Sequence, residues 1–86
     1  MSDAVPMVFV VDDDVSVRES LELLIQTAGW RPCLFSSAQA FLDHSRVRVA
    51  NCLVLDISLP GLNGLDLQER IGNQRPEMPI IFITGY

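Results

Sequence analysis

The chain predicts an α/β fold, a doubly wound parallel sheet with helices on both faces. Three observations carry this. Short apolar runs recur at residues 7–11, 30–35, 52–56 and 79–83. Helical patterns fall between them, two of them opened by Ser-containing capping signals. Turn formers punctuate the remainder, as in Pro60-Gly61-Leu62-Asn63-Gly64. Strands that alternate with helices imply parallel pairing and right-handed crossovers.

Each element has a local cause. Met7-Val8-Phe9-Val10-Val11 is unbroken and rich in Val, as a strand buried on both faces requires. A helix is predicted over about 15–28. Ser16-Val17-Arg18-Glu19 has the capping-box pattern, and Val17, Leu21, Leu24, Ile25 and Ala28 fall on one face. Gly29 can end that helix in a left-handed conformation. In the second strand Pro32 lacks a donor, which favours an edge position. Ser36-Ser37-Ala38-Gln39 is a second cap signal, and Ala38, Phe41 and Leu42 give a brief helix to about Ser45. Residues 46–51 form a polar connection, and residues 52–56 a third, buried strand. A loop over 58–64, a helix over about 65–71 and a turn over 72–77 lead to the fourth strand. Thr84-Gly85-Tyr86 follow it.

Composition bounds the function. Eighty-six residues make at most one small domain, and 49% apolar with 20% charged suits a folded core rather than disorder. A net charge of −5 argues against direct nucleic-acid contact through a basic surface. All six basic residues are Arg, so any chemistry that needs a Lys within this stretch is excluded. Cys33 and Cys52 belong to no C-x-x-C pair and read as buried free thiols in a reducing cytoplasm. The opening residues have no basic and apolar halves of a signal peptide, and no run approaches ~18 apolar residues. A cytoplasmic location with no membrane partner is therefore expected. Phe9, Phe35, Phe41 and Phe82 read as core, Trp30 as a packing residue beside the second strand, and His44 as a surface residue late in a short helix.

The acidic residues point to the chemistry. Asp12, Asp13 and Asp14 close the first apolar run, and Asp56 closes the third. Ligands of such sheets sit beyond the carboxyl ends of the strands, where Thr84 also falls after the fourth. Two carboxylates ~4 Å apart repel by ~4 kcal/mol at an effective dielectric near 20. A bound cation, a shared proton or a raised pKa must relieve that. Clustered hard oxygens suit Mg2+, and a carboxylate beside it can attack a phosphoryl group. Asp14 directly precedes a helix and reads as its cap.

Three segments together resemble the receiver domain of bacterial two-component response regulators. They are Val11-Asp12-Asp13, Leu55-Asp56-Ile57-Ser58-Leu59-Pro60-Gly61-Leu62-Asn63-Gly64, and Ile81-Phe82-Ile83-Thr84-Gly85. Asp13 and Asp56 are 43 residues apart, and the Ile-Thr-Gly-Tyr ending is most similar to the FixJ-type branch of transcriptional regulators. The resemblance implies a flavodoxin-like sheet of strand order 2-1-3-4 and a phosphoacceptor at Asp56. It implies Mg2+ held by Asp12, Asp13, Asp56 and the Ser58 backbone carbonyl, with Thr84 as the switch hydroxyl. It implies a sensor histidine kinase as partner, a C-terminal DNA-binding output domain, and a signalling role rather than an enzymatic one. Leu59 stands where the family usually has Met.

The family has five strands and five helices, and its fifth strand brings a Lys to the phosphoryl group. That strand, the last two helices and the Lys have no counterpart here. The expectation is a partial receiver domain over residues 1–86, with residues 1–6 an N-terminal extension and the chain ending after strand four. Two other readings stand beside it. Asp12-Asp13-Asp14-Val15-Ser16 resembles the D-x-D-x-T motif of haloacid-dehalogenase-type phosphatases, with Asp12 as nucleophile. An interaction module that is not phosphorylated is the other. An exposed fourth-strand edge would invite a homodimer or strand-exchanged self-association.

Overall fold

Val8, Phe9, Val10 and Val11 are all buried, so the first strand is covered on both faces, as its unbroken apolar run requires. The computed structural model describes residues 5–43, 51–59, 67–69, 71 and 78–83. Its elements are β1 (Met7–Val11), α1 (Val15–Thr27), β2 (Arg31–Phe35), α2 (Ala38–Leu42), β3 (Cys52–Asp56) and β4 (Ile80–Ile83). Residues 67–69 and 71 are helical, within the helix expected over 65–71.

The four strands form one parallel sheet of order β2-β1-β3-β4, the predicted order. Pro32 lies on β2, at an edge of the sheet, where its missing donor is tolerated. β1 begins in a two-way clamp. The Met7 N–H donates to Asn51 Oδ1 at 2.9 Å, and the Asn51 N–H donates to the Met7 carbonyl at 2.8 Å.

α1 starts at Val15, the expected start, two residues before a Ser16 cap would place it. Asp14 is the N-cap, and its Oδ1 accepts from the N–H groups of Ser16 at 2.8 Å and Val17 at 3.4 Å. Ser16 is therefore inside the helix, and the Ser16–Glu19 capping-box reading is corrected. The helix ends as predicted, in a Schellman arrangement. Gly29 has φ +87, its N–H donates to the Gln26 carbonyl, and the Trp30 N–H donates to the Ile25 carbonyl.

The two faces of the sheet are covered unequally. On one, Phe9, Phe35 and Phe41 meet edge to face at centroid distances of 5.4–5.7 Å, with Leu53, Leu55, Leu67 and Ile71 packed around them. Phe82 is partly buried against this cluster. On the other face Val8, Val10, Ile25 and Val54 form a smaller core. Of the predicted α1 stripe only Ile25 is buried; Leu24 is 64% exposed and Ala28 is exposed too. Leu24, Ala28, Trp30 and Ile81 line an open apolar groove of about 520 Å3. Trp30, expected as a packing residue beside the second strand, lines this groove while 48% exposed. Cys33 and Cys52 are half-buried and lie on strands on opposite sides of β1, so they do not pair with each other. Their expected full burial is not reached.

α2 is shorter than expected, ending at Leu42 with Asp43 as its C-cap. Its N-cap is Ser37, whose hydroxyl accepts from the Ala40 N–H at 3.1 Å. His44, the polar connection over 46–50 and the 60–66 loop lie outside the described residues.

Candidate functional site

Parallel pairing builds the site. In the β1–β3 register Val11 lies opposite Leu55, so Asp12 and Asp56 leave adjacent strands side by side. Both are buried, at 2% and 5% exposure, while Asp13 is exposed. One carboxylate oxygen from each of Asp12, Asp13 and Asp56 lies within 4.8 Å of the others.

Two similar turns fix the buried pair. Asp12 Oδ1 accepts from the Asp14 N–H at 2.9 Å, and Asp56 Oδ1 accepts from the Ser58 N–H at 2.9 Å. These are Asx turns, in which a short carboxylate substitutes for a backbone acceptor. The second oxygen of each has no hydrogen-bond partner among the described residues. Backbone bonds brace the same corner. The Asp12 N–H donates to the Phe35 carbonyl at 3.1 Å, and the Ile57 N–H donates to the Ile83 carbonyl at 3.1 Å.

The electrostatics follow from this crowding. Burial pushes the Asp12 carboxyl above its ordinary value, the bond from the Asp14 N–H pulls it down, and the charges of Asp56, Asp13 and Asp14 push it up again. A cation among these oxygens would favour the ionised form. The donor set fits Mg2+, a hard ion bound by one or two carboxylates that keeps several waters. The 4.8 Å spread slightly exceeds the ~4.2 Å between opposite ligands of an octahedral Mg2+, which leaves room for water-mediated contact.

The predicted residues are thus placed as follows. Asp12, Asp13 and Asp56 come together, Asp14 turns to the α1 amino terminus, and Ser58 adjoins Asp56 through its N–H. Ile83 lies opposite Asp56 in the β3–β4 register, and Thr84, the next residue, lies outside the described residues. One residue escaped the sequence reading. Arg18 donates from Nη1 to the Asp12 carbonyl at 2.7 Å, half-buried against the site's own backbone. Its signal was an arginine in the first turns of a helix, six positions after a strand-end acid.

Comparison with known proteins gives one consistent result. The family model for the response regulator receiver domain matches residues 8–86. The chain is 46% identical over 80 residues to nodulation protein W of Bradyrhizobium diazoefficiens, covering 93% of this chain and 35% of that protein. It is 40% identical over 86 residues to response regulator protein TmoT of Ectopseudomonas mendocina, covering 100% of this chain and 39% of that one. Among solved structures, response regulator StyR is 47% identical with a TM-score of 0.85, over 96% of this chain and 42% of that one. The chain therefore spans well under half the length of these relatives. Among the described residues no helix is long and apolar enough to cross a membrane.

Proposed function

This chain belongs to the response regulator receiver domain family, and on that footing we propose that Asp56 is its phosphoacceptor. Receiver domains are signalling modules rather than enzymes. The observation that carries the reading is the convergence of three carboxylates at the ends of two adjacent parallel strands. Asp12, Asp13, Asp56 and the Ser58 carbonyl would hold Mg2+. When bound, the ion offsets the charge of the incoming phosphoryl group. An Asp56 oxygen forms the new bond to phosphorus as the bond from phosphorus to the donor breaks, and the donor keeps the electron pair. The Ser58 N–H on Asp56 Oδ1 fixes the carboxylate so that it need not reorient during attack. Thr84 is the switch hydroxyl in this reading, one residue beyond the partner of Asp56 in β4.

The donor in this reading is a sensor histidine kinase, and the output a DNA-binding domain in a longer protein, as the resemblance to the FixJ-type branch suggests. The −5 charge supports a domain that does not itself touch nucleic acid, and the cytoplasm is its proposed location. The apolar groove beside β4 favours self-association of this chain. The phosphatase reading, with Asp12 as nucleophile, has no support from the relatives.

Treatment with acetyl phosphate or beryllofluoride in the presence of Mg2+, followed by peptide mapping or NMR, tests the assignment. Modification belongs on Asp56 and disappears in Asp56→Asn. Modification on Asp12 would overturn it in favour of the phosphatase.

A further inference from the structure

We propose that Arg18 is a positioning residue for the acidic site, acting through the peptide that joins Asp12 to Asp13. Its guanidinium donates from Nη1 to the Asp12 carbonyl at 2.7 Å, a charge-assisted bond of the short kind. That carbonyl belongs to the rigid plane carrying the Asp13 amide, so holding it fixes the direction in which Asp13 leaves the strand. Asp13 needs the help. It is exposed, and among the described residues no hydrogen bond restrains its side chain. Asp12 and Asp56, by contrast, are each held by an N–H two residues on.

The anchor is itself anchored. The Arg18 N–H donates to the Asp14 carbonyl at 3.1 Å, the first bond of α1, and Asp14 caps that helix. One helical turn thus grips both the backbone and a side chain of the strand end. The Arg18 guanidinium makes its short bond to a carbonyl and not to a carboxylate of the cluster. This separates two roles by sign. A cation that merely neutralised the cluster would oppose Mg2+, and its removal would tighten the metal. A cation that positions Asp13 supports Mg2+, and its removal weakens the metal.

The inference rests on reading Asp12, Asp13 and Asp56 as Mg2+ ligands, and the test separates the two. Mg2+ is titrated by NMR into wild type, Asp13→Asn, Arg18→Met and Arg18→Lys, all at a temperature where melting curves show each fully folded. Arg18→Met should bind Mg2+ about tenfold more weakly, the usual loss when an outer support of a ligand is removed. Arg18→Lys, which keeps one donor, should recover most of the affinity. In metal-free samples the Asp13 and Asp14 amides of Arg18→Met should exchange faster, with the Val10 and Val54 amides unchanged. Equal or tighter Mg2+ binding by Arg18→Met overturns the positioning role alone. No difference between wild type and Asp13→Asn overturns the metal reading and this inference together. If Arg18→Met does not fold, Arg18→Gln decides by the same criteria.

Discussion

Asp12 and Asp56 are held by the same device: each lends one carboxylate oxygen to the backbone N–H two residues along, at 2.9 Å in both cases. Because they end adjacent strands, this places two restrained anions side by side before any ligand arrives. The cost of that arrangement falls on the metal-free protein, and it can be measured.

Asp12→Asn should stabilise the metal-free chain. The Asn Oδ1 still accepts from the Asp14 N–H, while a buried charge facing Asp56 and Asp13 is removed. The gain is about 1 kcal/mol, or about 4–8 °C in Tm for a domain of this size. Thermal melts in a chelator check it; a lowered Tm would show that the cluster is not under repulsion.

The same carboxyl sets a pH dependence. Its proton leaves the unfolded chain near 3.8 and the folded chain at a higher pH, so the folded state binds more protons between those values. Its contribution to stability therefore declines as pH rises through that window, and the full cost remains above it. Wild type minus Asp12→Asn, measured by denaturant titration across pH, isolates the effect. Mg2+ at about ten times its Kd should add ~1.4 kcal/mol at neutral pH, and nothing once the carboxyls are protonated.

Gly29→Ala tests conformation without crowding. A Cβ at Gly29 meets nothing within 4 Å, but φ is +87. The loss should be about 1 kcal/mol, all of it from the left-handed backbone. Gly29→Asn should lose less, and equal losses in the two variants would argue against that cause.

Phe41→Ala should remove a large share of the stability and shift the unfolding midpoint to markedly lower denaturant. Phe41 is fully buried and meets both Phe9 and Phe35 edge to face. Its removal costs about 3–5 kcal/mol. A chain of 86 residues has only about 4–13 kcal/mol in all. Far-UV circular dichroism over a denaturant series gives the answer.

Leu24→Glu should leave stability within about 0.5 kcal/mol, since the side chain is 64% exposed. If the groove beside β4 drives self-association, the same change should shift light scattering toward monomer. A wild-type chain that is already monomeric would remove that proposal.

The strands and their order were legible because a chain that alternates apolar runs with capped helices has few ways to bury itself. Asp12, Asp13 and Asp56 were legible because strand ends in a parallel sheet converge on one crevice. One competing signal had to give way, and two features were not legible. Asp14 was legible as the α1 cap, whereas the Ser16–Glu19 box fails because the Asp14 carboxylate already holds the Ser16 and Val17 N–H groups. The exposure of Leu24, Ala28 and Trp30 could not be read from periodicity, which marks a face as apolar without saying what lies on it. Arg18 was hidden for a related reason: its partner is a backbone carbonyl, and sequence patterns register side chains.

The pairing of Val11 with Leu55 makes the cluster a gauge of alignment. Side chains alternate across a strand, so slippage by a single residue between β1 and β3 would send one of the two acids to the wrong side. If the proposed Mg2+ site holds, only correctly threaded chains would capture the ion. Uptake of Mg2+ would serve as an assay of folding fidelity, and the metal would draw misaligned chains toward the native register as the sheet assembles.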